Sequence, residues 1–360
     1  MAVAPEVDGV PETALWTLHH RVLEAKRPDA MFADPRAVDL VTRMDFPFAE
    51  RFGEGFRTQT QLLALRVRCF DLAVSEFLGD HPAGTVVALG EGLETQFWRV
   101  DNGLVRWLTV DLPPSARLRE RLLPRGDRQR LYVGSALDLG WMDEVDDSEA
   151  VLITAQGLLM YFRPEDVHRL LSACAERFPG GVLVLDTVAQ WMGRAVRRAS
   201  TRAAGYRPPE MHWCLDSADW QSLRQLHPNI AEVTEVRSPA GRGPLAWLPP
   251  NVHRIPLIRG RRSGVVRLRF GPEPVAPSLC APTPSSPSPP ARRKRGHHRP
   301  SRTRPPQPRR DSTSPGTPDH PQTNPRPHHS MVMVATPPPV PSQNKPLPAK
   351  TTLSQVRLEY

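Results

Sequence analysis

Five short apolar runs, at residues 86–89, 106–110, 131–133, 150–154 and 182–185, alternate along the chain with segments that read as helices. Strands and helices in strict alternation need crossover connections, and these put helices on both faces of a mostly parallel sheet. Apart from Arg106, Thr109 and Thr154 the runs are apolar in succession rather than alternating in polarity, as suits strands covered on both faces. Ligands of such sheets bind at the carboxyl ends of the strands. Gly90, Asp111, Asp138, Gln156 and Asp186 each follow a run at that end, so five polar or glycine positions converge on one edge.

The first unit, residues 85–111, is the most informative. Val86, Val87, Ala88 and Leu89 form the strand, and Gly90 and Gly92 break it. Without a Cβ these glycines turn sharply and let backbone approach a ligand closely. Residues 93–100 read as a helix whose unpaired N-terminal N–H groups face the same turn. The next strand ends on Asp111, where a carboxylate can accept both ribose hydroxyls of an adenosine-bearing ligand. The third glycine of a dinucleotide fingerprint is absent, since Glu94 and Thr95 follow Leu93. Glu91 and Glu94 place negative charge at the turn, which opposes a pyrophosphate and tolerates a cationic cofactor without phosphate. S-adenosylmethionine has that chemistry.

Around this unit the chain reads in order as follows. Residues 1–12 form a frayed lead-in. Thr13 can cap a helix carrying Leu15, Trp16, Leu18, Val22 and Leu23, and Asp34-Pro35 opens a second. A longer helix over 58–78 puts Leu62, Leu65, Cys69, Leu72 and Leu78 near one face. Of its arginines, Arg66 and Arg68 point in different directions, so at most one faces the sheet. Asp138, in the turn after the third strand, suits either an adenine amino group or a helix cap. Strict alternation lapses over residues 190–250, a segment rich in Trp, Met and Arg that contains a helix over 217–226 and a strand over 230–236. Residues 264–270 alternate in polarity and read as a last strand, antiparallel and near an edge.

The net charge of +9 resembles a nucleic-acid signal until it is divided. Residues 272–360 hold 13 Lys and Arg against 4 Asp and Glu, whereas residues 1–271 hold 34 of each. All the excess charge therefore lies beyond 271, and no specific nucleic-acid partner is expected for the fold. The same segment carries 23 of the 42 prolines and no apolar run able to offset chain entropy, so a disordered Pro/Arg/Ser-rich tail is expected. Its basic clusters at 292–295 and 309–310 suit nonspecific polyanion binding. The ordered part has one lysine, Lys26, against 33 arginines, a sign of GC-rich coding, and an out-of-frame origin for the tail is an alternative. Cys69, Cys174, Cys214 and Cys280 are far apart, with no metal-ligand spacing. A reduced cytoplasmic protein without structural metal is expected, with no secretory signal and no membrane span.

With these residues on the page, the chain resembles the leucine carboxyl methyltransferase-like group of S-adenosylmethionine-dependent O-methyltransferases, in particular its bacterial polyketide O-methyltransferase branch. The resemblance rests on VALGEGLETQFWR at 87–99, VDLP at 110–113 and QGLLMYF at 156–162, with Asp34-Pro35 and LRVRCFD at 65–71 upstream. It covers residues 13–271 as one methyltransferase domain. It implies a class I, Rossmann-like α/β fold with a seven-stranded, mostly parallel sheet, helices on both faces and an antiparallel final strand. It also implies that Arg66 pairs with the cofactor carboxylate, that Gly90 and Gly92 lie against its amino-acid portion, and that Asp111 with Leu112 meets the ribose. Asp138 with Leu137 would lie near the adenine. Gln156 stands where many relatives carry Glu, which removes a charge near the cofactor ammonium, and Glu94 is placed to compensate. Arg21 is a possible second basic contact.

The function implied is methyl transfer to a carboxylate or hydroxyl of a small, polyketide-like molecule. A protein C-terminal carboxyl methyltransferase and a nonenzymatic binding module are the rival readings. Residues 190–250 are the candidate substrate lid, although their tryptophans can equally pack the sheet. A hydroxyl acceptor would need a base, for which His212 and Asp186 are the candidates.

Overall fold

The computed structural model describes residues 12–53, 55–199, 209–243 and 246–272. Most of the lead-in, Tyr206, Cys280, the basic clusters and nearly all of the expected tail lie outside the described residues.

Seven strands form one sheet: β1 (Thr85–Leu89), β2 (Arg106–Asp111), β3 (Gln129–Val133), β4 (Val151–Ala155), β5 (Val182–Thr187), β6 (Ile230–Val236) and β7 (Gly264–Phe270). Their order is β3-β2-β1-β4-β5-β7-β6. The first five pair in parallel, and β7 runs antiparallel between β5 and β6. This is the class I methyltransferase arrangement. The expected antiparallel strand is therefore present, but β6 takes the edge. Its Ile230, Val233 and Val236 are buried while Ala231 and Glu232 are exposed, as an edge strand with a wetter face requires.

Successive side chains leave a strand on opposite faces, and the core divides accordingly. Val87, Leu89, Leu108, Ile153 and Leu183 pack on one face with Trp141 and with Val167, Leu170, Leu171 and Cys174 of α7 (Pro164–Arg177). Val86, Ala88, Trp107, Leu152 and Val184 pack on the other with Phe70, Ala73, Val74 and Phe77 of α4 (Arg57–Asp80). A third cluster joins α1 (Glu12–Ala25), α2 (Pro35–Arg43), α3 (Phe48–Phe52) and α6 (Pro113–Leu122) through Leu15, Leu18, Leu40, Phe48, Leu118 and Leu122. It forms a helical cap beside the β1 turn. Asp34 caps α2 as its place before Pro35 predicts, accepting from the Ala37 N–H at 3.0 Å.

Three local expectations are corrected. The helix expected over 93–100 is only α5 (Gln96–Val100). The carbonyls that would have opened it are taken by side chains: Arg119 donates to Gly92 O and Glu94 O, and Arg21 donates to Leu93 O. The helix expected over 217–226 is a 3-10 helix, Ser217–Gln225. Leu62, placed on the apolar face of α4, is 63% exposed. Among the described residues no helix is long and apolar enough to cross a membrane, and no metal-binding cluster of His, Cys, Asp or Glu occurs.

Candidate active site

The carboxyl ends of β1, β2, β4 and β5 open into one cavity of about 1600 Å³. After β1 the chain turns through Gly90 at φ +59° and Gly92 at φ +55°, a region that costs glycine nothing and other residues about 1 kcal/mol or more. A Cβ on Gly90 would sit 2.7 Å from Leu158 Cδ1. Asp111, at the end of β2, accepts from the Gly92 N–H at 2.5 Å and from the Leu112 N–H at 2.8 Å. The carboxylate thus holds the glycine turn as well as facing the cavity. Burial pushes its pKa up, against the two backbone donors and the Arg119 charge.

Beneath the turn lies a buried ion network. Arg99 grips Asp71 with two parallel bonds of 2.9 and 3.1 Å and also reaches Asp34 at 2.9 Å and Glu94 at 2.8 Å. Arg21 donates to Glu94 at 3.0 Å and to Asp34 at 3.4 Å. Burial raises the Glu94 carboxyl, but Arg21 and Arg99 outweigh it and hold the group at about 2. Glu91 accepts from Trp107 Nε1 and Thr109 Oγ1. Its other oxygen lies 2.8 Å from Arg119 Nη2, an ion contact off the N–H axis that gives neither atom a hydrogen bond. Burial pushes the Glu91 pKa up despite Arg119. Both glutamates are therefore matched by buried arginines. The repulsion they were expected to exert on a pyrophosphate is largely cancelled, and the absent third glycine is the better reason to set a dinucleotide aside.

On the β4 side, Gln156 Nε2 donates to Glu94 Oε2 at 3.2 Å, while Gln156 Oε1 is buried without a donor. That contact fixes which end of the amide is which, because a carboxylate only accepts. Asp186 accepts from the Gly157 N–H at 2.7 Å and from Arg66 Nη1 at 3.1 Å. Arg66 Nε is buried and unpartnered. Of Arg66 and Arg68 on α4, Arg66 lines the cavity and Arg68 does not.

Arg66, Gly90, Gly92, Glu94, Asp111, Leu112 and Gln156 are thus brought to one cavity wall. Asp138 and Leu137 are not among the lining residues. Asp138 is exposed and takes up the Gly140 N–H at 3.1 Å and the Tyr132 hydroxyl at 3.4 Å, so it orders its own turn, and Ser135 and Ala136 line the wall instead. His212 is exposed and off the cavity, held through its backbone N–H on Met160 O. Asp186 is in place but engaged by Arg66 and Gly157, which makes it a poor base. The network hubs Arg99 and Arg119 were not singled out from sequence, although Arg99 closes the quoted run at 87–99.

The segment over 190–250 divides. Trp213 and Trp220 are buried in the sheet core, with Trp220 Nε1 donating to Thr187 Oγ1 at 2.9 Å. Trp191, Met192 and Val196 of α8 (Gln190–Ala199) line the cavity together with Met211. Leu248, Leu257 and Ile258 continue that wall. Its apolar character contrasts with the charged β1 and β4 side.

A family model described as leucine carboxyl methyltransferase matches residues 14–175. The chain is similar to the tetracenomycin polyketide synthesis O-methyltransferase TcmP of Streptomyces glaucescens, at 32% identity over 202 residues covering 55% of this chain and 73% of that one. It is also similar to the S-adenosyl-L-methionine-dependent methyltransferase dpfgK of Gibberella zeae, at 26% identity over 188 residues covering 47% of this chain and 62% of that one. Among solved structures, a possible exported protein from Bordetella parapertussis matches with a TM-score of 0.42 and 16% identity, covering 72% of this chain and 79% of that one.

Proposed function

The chain belongs to the leucine carboxyl methyltransferase family of S-adenosylmethionine-dependent enzymes, and we propose that it methylates a carboxylate on a small, planar, polyketide-like acceptor. The bound cofactor supplies an electrophilic methyl group on a cationic sulfur.

The residues of the donor side fit that cofactor. Gln156 Oε1 is a buried acceptor without a donor, and Arg66 Nε a buried donor without an acceptor. An amino acid's ammonium and carboxylate would meet both needs. Gly90 and Gly92 present backbone that a Cβ would obstruct or strain, as their positive φ values indicate. Asp111 would take the ribose, and Ser135 and Ala136, which line the wall beyond it, would hold the adenine. Glu94, ionised beside Gln156, adds the negative charge that Gln156 itself lacks. Fixing an acceptor oxygen in line with the methyl group accounts for roughly 7 to 11 kcal/mol of barrier reduction in well-oriented reactions.

The choice of a carboxylate over a hydroxyl rests on one observation: among the described residues the cavity offers no free buried base. No histidine lines it among the described residues. Its buried acids are held: Glu91 by Arg119, Glu94 by Arg21 and Arg99, Asp111 by backbone N–H groups, and Asp186 by Arg66. A carboxylate is already anionic at neutral pH and needs no proton removed, whereas a phenol must lose one. The test is incubation with methyl-labelled cofactor and matched panels of aromatic acids and phenols, read by mass spectrometry. Methyl esters are expected. Methyl ethers alone would overturn the carboxylate assignment while leaving the methyltransferase intact.

A further inference from the structure

Five arginines line the cavity: Arg21, Arg51, Arg66, Arg261 and Arg262. Four are paired with acids, Arg21 with Glu94, Arg51 with Glu12, Arg66 with Asp186 and Arg262 with Glu235. Arg261 makes no ion pair among the described residues. It precedes β7, which lies beside β5. The start of β7 lies beside the carboxyl end of β5, with Gly264 opposite Thr187, three strand spacings or roughly 14 Å from Gly90 along the sheet edge.

Arg261 is itself exposed, but it shares the cavity lining with large apolar side chains that are also exposed. The rim there is apolar, with Trp191 53%, Leu257 90% and Ile258 40% exposed. The backbone carrying Arg261 is pinned: its N–H donates to Ile258 O at 3.0 Å, and the flanking Arg259 and Gly260 carbonyls accept from Ser217 Oγ and the Ala218 N–H. Most telling, the Arg261 carbonyl accepts the Trp191 indole N–H at 2.9 Å. One local frame therefore carries an exposed aromatic face and an unpaired guanidinium. A guanidinium fork matches a carboxylate in geometry and charge, and an indole face matches a flat ring.

We propose that Trp191 and Arg261 form the subsite that selects the acceptor, with Trp191 stacking its planar ring system and Arg261 receiving an anionic group on it. This rests on the methyltransferase reading, since the subsite is placed relative to the donor side. Among the described residues neither side chain is hydrogen-bonded or ion-paired to Arg66, Glu94, Asp111 or Gln156, the polar groups of the donor side.

The experiment is titration of 2-naphthoate and of neutral 2-naphthamide into the full chain saturated with S-adenosylhomocysteine, for the wild type and for Arg261→Gln, Arg261→Lys and Trp191→Ala. The wild type is expected to bind the acid about tenfold more tightly than the amide. Arg261→Gln should bring the two within about twofold, Arg261→Lys should retain part of the preference, and Trp191→Ala should weaken both probes by a similar factor. Affinity for S-adenosylhomocysteine should be unchanged in all three, which separates a specificity role from misfolding. Equal binding of acid and amide by the wild type, no binding of the acid at millimolar concentration, or a preference that survives Arg261→Gln would overturn the assignment. Failure of the wild type to bind S-adenosylhomocysteine would instead remove the methyltransferase reading beneath it.

Discussion

The Gln156 side chain gives its N–H to Glu94 at 3.2 Å and keeps a buried carbonyl oxygen that no donor meets. A buried acceptor without a partner costs about 1 to 3 kcal/mol, and a ligand that donates there would recover that cost. Gln156→Leu should leave the free protein as stable as before or slightly more so, because the orphaned acceptor is gone. The same change should weaken S-adenosylhomocysteine binding by about ten- to a hundredfold, the worth of one hydrogen bond from a charged donor. Calorimetric titration beside thermal unfolding measures both. Unchanged affinity would remove Gln156 from the donor site.

Asp111 is expected to behave differently, because its carboxylate already holds two backbone N–H groups. Asp111→Ala should weaken S-adenosylhomocysteine binding by at least about 1 kcal/mol through loss of the ribose contact, and should also lower the stability of the free protein by about 1 to 3 kcal/mol, since the Gly92 and Leu112 donors lose their partner. A stability loss with intact affinity would reduce Asp111 to a residue that shapes the turn.

Much of this arrangement was legible because it is local. The continuous apolar runs mark β1, β2, β4 and β5, and their alternation with helices dictates a parallel sheet whose carboxyl edge carries Gly90, Asp111 and Gln156. What periodicity cannot display is pairing across sequence distance. Arg99 meets Asp34 from 65 positions away, and Arg21 meets Glu94 from 73. Arg21 and Arg119 take the carbonyls of the β1 turn, and so the helix expected at 93 begins only at Gln96. Asp138 shows the converse: an acid at a strand end satisfies its own turn as readily as a ligand, and residue type alone does not distinguish the two.

Arg99 is the largest single determinant of stability expected in the site. Its side chain is only 6% exposed and compensates Asp71, Asp34 and Glu94 together. Arg99→Leu would leave three buried carboxylates short of a cation, and removing one partner of a buried pair costs roughly 3 to 5 kcal/mol. Arg99→Lys should recover only part of this, since one ammonium cannot reproduce the two parallel bonds to Asp71. Urea unfolding of the two variants measures the difference. A loss below about 1 kcal/mol for Arg99→Leu would mean that the network contributes little to holding the fold.

Glu94 gives the network a pH signature. Its pKa falls from an ordinary 4.5 to about 2 because Arg21 and Arg99 outweigh the effect of burial. A carboxyl whose pKa is depressed by folding contributes stability that is fully present above its unfolded value and is lost as pH falls through its folded value. The window for Glu94 is therefore from about 4.5 down to about 2, and the contribution is on the order of 3 kcal/mol. Asp71, Glu91 and Asp111 have raised values owing first to burial, so they act in the opposite sense, favouring the fold as acid is added. The wild-type acid profile mixes these effects, but the difference between wild type and Glu94→Gln isolates the first. That difference should be greatest at neutral pH, hold down to about pH 4.5, and shrink steadily below it. Urea unfolding across that range tests the expectation, and a gap that does not change with pH would show that Glu94 is not the ionised partner of Arg21 and Arg99.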